Sequence, residues 1–224
     1  MRDRYLHNVL LTLTIVLSVS SLNADYEIFV VHPAINNHAV MPGEPLPPTC
    51  RQGSSLKVIA CRGEYEPASF VVRTDAPLTD VRIDVLPLQG PSGVLPAEIV
   101  DIRVVKILFR RITDWPALYP SLLLHDADLM VVDKKPRPEA LAKDASPLAK
   151  SYTHTNRITR VPIDAASLLP VTIPECQQFW LTIHVPDDCP SETYRSVVTL
   201  TPKNAPATTL EVATSTLYVL CVNS

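Results

Sequence analysis

Apolar and polar residues alternate at every second position through much of the chain after residue 24. Segment 178–185 has Phe179, Leu181, Ile183 and Val185 on one face, and Gln178, Trp180, Thr182 and His184 on the other. A period of two residues is that of a half-buried β-strand. Further strand candidates, rich in β-branched and aromatic residues, are Glu27–His32, Leu56–Cys61, Ala68–Thr74, Val81–Val85, Val100–Val104, Tyr194–Thr201 and Leu210–Val222.

Helical signals are weak by comparison. The chain has 22 prolines against five glycines, and prolines exclude long helices because each removes an N–H donor and clashes with the preceding turn. Only the run Pro136–Lys150 favours helix, enough for one or two turns. Many short strands with turn punctuation predict an all-β fold, an antiparallel β-sandwich formed by residues 25–224 as one domain.

One long segment, residues 113–169, is less regular. It carries Trp115, Tyr119 and several prolines, then a short strand candidate at Leu129–Val132, then a charged, proline-rich run to Lys150. Long loops are uncommon inside a compact domain. We therefore expect an irregular excursion over one face or end of the sandwich.

The first 24 residues have the pattern of a secretory signal peptide. Arg2 and Arg4 give a positive start, Val9–Val19 is an uncharged apolar run, and a short polar stretch ends at the small residue Ala24. The apolar run is too short for a spanning helix, which needs roughly 20 residues, although an uncleaved anchor is the alternative. The pattern predicts a secreted or periplasmic protein with no membrane span after cleavage.

The charge balance argues against two classes of partner. The whole chain has a net charge of −3, and without residues 1–24 it has 18 basic and 22 acidic residues. A charge this small and this mixed does not favour binding to nucleic acid or to an anionic membrane.

Five cysteines lie after the leader, so at least one is unpaired within the chain. Spacing suggests Cys50 with Cys61 and Cys176 with Cys189, leaving Cys221, but it does not fix the connectivity. Buried unpaired cysteines acting as small apolar residues are the alternative. A zinc site is not favoured, because no CxxC occurs and no histidine stands at ligand spacing from a cysteine.

Catalytic signatures are missing from the sequence. There is no HExxH, GxSxG, GxGxxG or P-loop, so no metal or cofactor is predicted. His125, Asp126 and Asp128 could offer oxygens to a cation, but a solvated loop is the simpler interpretation.

Two carboxylates close in sequence form a candidate catalytic pair, because two carboxyl groups suffice for glycoside hydrolysis. Glu64 and Glu66 flank Tyr65 in the stretch Arg62-Gly63-Glu64-Tyr65-Glu66-Pro67. We interpret this stretch as a structural corner between two strands, in which Gly63 relieves the backbone and the glutamates bind backbone N–H groups or arginine. Asp187 and Asp188 are interpreted as turn residues.

Three aromatic residues are candidates for ligand binding, since aromatic rings stack on the apolar face of a sugar. Trp180 lies on the strand face opposite the aliphatic residues, and Trp115 and Tyr119 lie in the irregular segment. Packing of Trp180 beneath the excursion is the alternative role.

Three stretches together carry a family resemblance. They are ACRGEYEPASFVVR at residues 60–73, VDIRVVK at 100–106, and QFWLTIHVP at 178–186 followed by Thr193-Tyr194-Arg195. Over 27–222 the chain resembles the N-terminal β-sandwich domain of glycoside hydrolase family 123-like proteins. In that family an A-x-R-G/N-E-Y-E-P corner, a W-L-T-V-x-V-P strand and a G-T-Y-x-G hairpin recur in this order.

The chain departs from the family pattern in two ways. Ser191, Glu192 and Ser196 stand around Tyr194, where the family has glycines. Family members also continue into a (β/α)8 barrel that carries an adjacent Asp-Glu pair. This pair hydrolyses N-acetylgalactosaminides by substrate-assisted catalysis. Nothing before Ser224 matches that pair, so the resemblance transfers no catalytic residue to this chain.

The resemblance implies a secreted, non-catalytic accessory sandwich that packs on or assists a catalytic barrel. An independent extracellular carbohydrate-binding or adhesion module is the alternative, and an enzyme in its own right is the least favoured. If a barrel covers one side, we expect an exposed apolar patch larger than a few hundred Å².

Overall fold

The computed structural model describes residues 24–31, 40–112, 115–136, 152–162 and 165–217. Within these ranges the chain forms fifteen strands and a single 3₁₀ turn at Ala97–Ile99. The strands are β1 Tyr26–Val31, β2 Cys50–Gln52, β3 Ser55–Cys61, β4 Tyr65–Thr74, β5 Leu78–Val85, β6 Leu88–Gln89, β7 Val94–Leu95, β8 Val100–Ile112, β9 Trp115–Leu124, β10 Met130–Pro136, β11 Tyr152–Ile158, β12 Val171–Ile173, β13 Cys176–His184, β14 Thr193–Thr201 and β15 Thr208–Leu217.

The first sheet has six strands in the order β2-β1-β4-β13-β8-β9, and all its neighbours are antiparallel. Strand β13 lies near the middle, paired with β4 on one side and β8 on the other. Both core-facing and outward side chains of β13 therefore have neighbours on two flanks. The alternation in 178–185 predicted a half-buried strand, and β13 confirms it.

The second sheet follows the order β12-β5-β14-β15-β3, with the short strands β6 and β7 attached to β14. Strand β3 pairs with β15 in parallel, whereas the other pairs in the described residues are antiparallel. The parallel pair joins segments about 150 residues apart, so no hairpin dictates its direction. The fold is thus an all-β sandwich with one mixed sheet.

The two sheets bury one apolar core between them. Phe70 and Phe179 stack from neighbouring strands of the first sheet, with ring centroids 5.1 Å apart. Leu200 and Leu210 meet them from the second sheet. Burying each such side chain stabilises the fold by about 1.5–3 kcal/mol, which explains why the alternating residues fix the layers.

A second, smaller cluster covers part of the outer face of the first sheet. Val40 and Leu46, from the segment between β1 and β2, pack with Val31, Val71 and Cys176. This end of the outer face is therefore closed to solvent, while the part nearer His184 is not.

The segment expected to be irregular begins with a regular strand. Strand β9 forms a long hairpin with β8 and makes the outer edge of the first sheet. The register shifts next to Ile107, which lies opposite Pro120. Prolines are tolerated on edge strands and at such bulges, because no ladder N–H is required there.

Beyond β9, the strands β10 and β11 form a separate two-stranded hairpin. Strand β10 extends the short strand predicted at Leu129–Val132. The helical turns predicted within Pro136–Lys150 lie almost wholly outside the described residues. Most of residues 1–24 and the stretch 218–222 of the last predicted strand also lie outside them.

The cysteine pairs suggested by spacing are wrong. Cys50, Cys61, Cys176 and Cys189 are all free thiols. Cys176 begins β13 and Cys189 follows its end, so roughly 30 Å of strand separates them, far beyond the reach of a disulfide. Cys50 and Cys61 belong to strands of different sheets. Cys176 and Cys189 are buried, as in the apolar alternative.

Candidate functional site

The Arg62–Glu64 corner is built against the end of β13. Gly63 has a φ of +76°, which favours glycine, and its N–H donates to the carbonyl of Val185 at 2.8 Å. The Val185 N–H donates in return to the Glu64 carbonyl at 2.9 Å. Two of the stretches that carry the family resemblance thus meet and are locked together by their backbones.

The carboxylate of Glu64 serves this corner directly. Its Oε2 accepts the Cys61 backbone N–H at 2.8 Å. Glu64 lies in the turn before β4, and Glu66 lies in β4 opposite Ile183, on the core-facing register of β13. The Val185 N–H bond to the Glu64 carbonyl continues this register, so Glu64 and Glu66 lie on the same side of the chain. Burial raises the pKa of the Cys61 thiol, and the nearby charges of Glu64 and Glu66 raise it further.

A row of aromatic and polar side chains runs along the outer face of the first sheet. Trp180, Thr182 and His184 alternate with buried residues of β13 and are each half-buried. We call the surface formed by these three, together with their neighbours Tyr65, Asp101 and Arg103, the outer row. Strand register places Tyr65 beside His184, Asp101 beside Thr182, and Arg103 beside Trp180.

One end of the outer row is an exposed aromatic stack. The rings of Tyr65 and His184 lie 4.3 Å apart and nearly parallel, at 12°. Tyr65 remains 66% exposed, so its second ring face is open to solvent. A ring held on one face and open on the other can stack against the apolar face of a sugar or against another planar group.

On the β8 side of the outer row, Asp101 is held in place by hydrogen bonds. Asp101 accepts from Arg103 Nε at 2.7 Å and lies 2.5 Å from Nε2 of His125. The other ring nitrogen of His125, Nδ1, donates to the carbonyl of Ala165 at 2.6 Å. Partial burial raises the pKa of Asp101, but the hydrogen bonds from His125 and Arg103 outweigh it and hold the pKa below its ordinary value.

The neighbouring acidic residues are also engaged. Arg160 binds Asp126 through two nitrogens, with Nε 2.6 Å from Oδ2, and these bonds lower the pKa of Asp126. Asp126 Oδ1 also accepts the Asp128 backbone N–H at 3.0 Å. In the part of the chain that the structure describes, no three metal-ligating side chains gather around a common point. The geometry favours an ion pair over a cation site here.

The three aromatic residues singled out by the sequence do not converge. Trp180 lies beside Arg103, and Tyr119 lies opposite Leu108, five residues further along β8. That spacing corresponds to about 17 Å of strand. Trp115 lies opposite Ile112, further still, and its side chain is outside the described part. Only Trp180 belongs to the outer row.

Sequence reasoning missed the Tyr65–His184 stack, although both residues lie in the stretches that carry the resemblance. Their contact depends on the register between β4 and β13, more than 100 residues apart. The period of two does place His184 on the same face as Trp180, and this is the only sequence signal for the pair.

Comparisons with known proteins give a likeness of shape only. No protein-family model matches the chain, and no curated protein does. A family 123 glycoside hydrolase from Clostridium perfringens is similar over 74% of this chain and 23% of its own, with 12% identity and a TM-score of 0.49. The chain thus spans about a quarter of that enzyme.

Two other solved structures are similar at lower scores. AvmM, described as catalysing macrocyclization in alchivemycin A biosynthesis, has 11% identity and a TM-score of 0.32, covering 86% of this chain and 89% of its own. PapD-like domain 7 of human CEP192 has 10% identity and a TM-score of 0.27, covering 83% and 98%. In the described residues, no helix has the length and apolar character needed to cross a bilayer.

Proposed function

We propose that this chain is an exported, non-catalytic accessory β-sandwich that packs on a catalytic (β/α)8 barrel and uses the outer row as its contact surface. The observation that carries the proposal is the outer row itself. It presents an open tyrosine ring, half-buried Trp180 and Thr182, and a pre-ordered Asp101–Arg103 pair on one sheet face. Side chains held in place before contact lose little conformational entropy on binding.

The engagement of the acidic side chains supports an accessory role over an enzymatic one. The Glu64 carboxylate is bonded to backbone and that of Asp126 to a guanidinium. A general acid at neutral pH needs a raised pKa, whereas the pKa values of Asp101 and Asp126 are lowered. The family resemblance of the corner and of segment 178–186 points the same way, toward the sandwich that accompanies a glycosidase barrel.

One exposed apolar side chain extends this surface toward the edge of the sheet. Leu123, on the edge strand β9, lies opposite Val105 on the face of the outer row and is more than a third exposed. Its exposure agrees with a covering partner on this face, which is what a barrel packed on the sandwich would provide.

The test begins with the coding sequence beyond codon 224. If a barrel follows in frame, its hydrolysis of an N-acetylgalactosaminide should be measured alone and with the sandwich attached. We expect the sandwich to raise the thermal stability or the activity of the barrel, and Trp180→Ala with Arg103→Ala to remove that gain. Thr172→Ala, at an exposed position of β12, is the matched control. A gain that survives both outer-row substitutions would overturn the proposal.

Direct glycan binding is the second candidate, and the open face of Tyr65 favours it. The isolated domain, residues 25–224, should be applied to a glycan array. Tyr65→Ala and Trp180→Ala should each abolish binding, while Tyr119→Ala, an exposed tyrosine outside the outer row, should not. Binding lost equally in all three variants would argue against a site at the outer row.

A further inference from the structure

The described structure begins with a clamp around the backbone of Asp25. The Asp25 N–H donates to Oδ1 of Asp75 at 3.0 Å, and its carbonyl accepts from the Asp75 N–H at 3.2 Å. The hydroxyl of Thr74 also donates to this carbonyl, at 3.0 Å. Residue 25 is thus held at the end of β4 just before β1 begins.

The clamp lies in an acidic cleft of about 470 Å³. Four carboxylates line the cleft, those of Asp25, Glu27, Asp75 and Glu175, against the single guanidinium of Arg73. Glu27 accepts from Gln52 and Glu175 from the Gly43 N–H, whereas Asp75 is directed at the nitrogen of residue 25. This nitrogen is an uncharged amide in the uncut chain.

The sequence pattern ends the leader at Ala24, the residue that precedes this nitrogen. We propose that the chain is cut between Ala24 and Asp25. The α-ammonium group formed on Asp25 then makes an ion pair with the carboxylate of Asp75, at the N-terminus of the mature protein. The cut is a hydrolysis by a leader peptidase of the exporting cell. Water adds its hydroxyl to the Ala24 carbonyl, the C–N bond breaks, and the released amine of Asp25 takes up a proton.

The same contacts require that cleavage precedes the folding of this edge of the sheet. Ala24 is only 5% exposed and packs in the main core, and both backbone groups of Asp25 are bonded. A peptidase needs an extended, accessible chain, so the cut must come before this edge folds. Cleavage removes one methyl group from the core and supplies a positive charge where four carboxylates meet one arginine.

The ion pair makes stability depend on pH in a defined window. An α-amino group ordinarily titrates near pH 8, and a carboxylate partner favours its charged form. The stabilisation by the ion pair is therefore complete below about pH 7. It is lost as the pH rises through the higher pKa that the α-amino group has in the folded state. The charged side chains that line the cleft around this amine are those of Asp25, Glu27, Asp75, Glu175 and Arg73. Burial raises the pKa of Tyr26 above its ordinary value, so Tyr26 stays neutral in this window.

The experiment uses the full chain expressed in an exporting host. Intact mass and N-terminal sequencing of the exported protein should give Asp25 as the first residue. The unfolding equilibrium constant should then rise about two- to fivefold more between pH 7 and pH 9.5 in this protein than in Asp75→Asn. Asp84→Asn, at an exposed position of β5, is the matched control and should keep the wild-type profile.

A second measurement covers the case in which Asp75→Asn does not fold. The α-amine of the native wild-type protein should react with an N-terminus-selective aldehyde more slowly than that of the same protein unfolded in urea. A start other than Asp25, an uncut chain, or an α-amine equally reactive in both states would overturn the inference. It requires that the chain is exported, but not the accessory role, so a failed barrel test leaves it intact.

Discussion

The side-chain amide of Asn156 binds both backbone groups of Phe109. Its Oδ1 accepts the Phe109 N–H at 2.8 Å and its Nδ2 donates to the Phe109 carbonyl at 2.8 Å. Strand β13 pairs with β8 only as far as Val104, so among the described residues no strand ladder continues along this side of β8. Asn156, from the β10–β11 hairpin, bonds here as a neighbouring strand would, and Gln177 does so in part by donating to the Val105 carbonyl at 3.0 Å.

Asn156→Asp should release the β10–β11 hairpin from β8. A carboxylate can accept the Phe109 N–H but cannot donate to its carbonyl, so one bond is replaced by repulsion. We expect a loss of about 0.5–1.5 kcal/mol in the free energy of unfolding and faster hydrogen exchange at Phe109. Thr155→Ala, on the opposite side of β11, should leave exchange unchanged. Wild-type exchange in Asn156→Asp would show that the hairpin docks by other contacts.

The second prediction concerns the corner glycine. In Gly63→Ala the new Cβ would lie 2.5 Å from Oδ1 of Asp187, at a residue whose φ is +76°. The strained backbone alone costs about 1–2 kcal/mol, and the overlap adds to it because Asp187 must move. Chemical denaturation should therefore show a larger loss than for an ordinary surface glycine.

Two other glycines distinguish the effect of backbone strain from the effect of steric overlap. Gly43 has the same φ of +76° but nothing within 4 Å of an added Cβ, and Gly53 has neither feature. The expected order of destabilisation is Gly63→Ala, then Gly43→Ala, then Gly53→Ala. Adding Asp187→Ala to Gly63→Ala should recover the part due to overlap. Equal losses at positions 63 and 53 would contradict this geometry.

The third prediction is an acid-dependent loss of stability. The pKa of Asp126 is lowered in the folded state by its bonds with Arg160. The charged Asp126 therefore contributes to stability above the pKa of aspartate in the unfolded chain, near 3.9. This contribution is lost as the pH falls through the lower pKa of Asp126 in the folded state. Asp126→Asn should be less stable than wild type at pH 7, and the difference should shrink below pH 4. Asp188→Asn, in an exposed turn, is the control, and unfolding monitored at several pH values is the measurement. A difference that is constant with pH would show that the charge of Asp126 does not contribute.

The layers of this fold can be predicted from sequence because strand alternation is local. Phe179, Leu181 and Ile183 alternate with polar neighbours, and all three are buried in the core. The same alternation places Trp180 on the outer face. Strand β9 escaped prediction because its sequence, WPALYPSLLL, contains two prolines and no regular alternation.

The contacts of the candidate site could not be predicted in the same way. The Tyr65–His184 stack depends on which residues face each other across strands distant in sequence. The Asp101–His125 contact depends on the path of the chain just after β9. A shift of one residue in the β4–β13 register would move every side chain to the other face. Burial of Phe70 opposite Phe179 selects the observed register, but this selection takes place in three dimensions and leaves no local mark in the chain.

The fourth prediction concerns the thiols. Burial raises the pKa of Cys176 to about 11, so at pH 8 only about one molecule in a thousand carries the reactive thiolate. Native protein treated with a thiol-specific alkylating reagent should therefore label Cys176 and the buried Cys189 slowly, and the half-exposed Cys50 and Cys61 faster. Peptide mapping separates these sites from one another and from Cys221. In denaturant all of them should react at similar rates, which controls for reagent and sequence effects. Rapid native labelling of Cys176, or a peptide linking it to Cys189, would be incompatible with the two residues lying buried at opposite ends of β13.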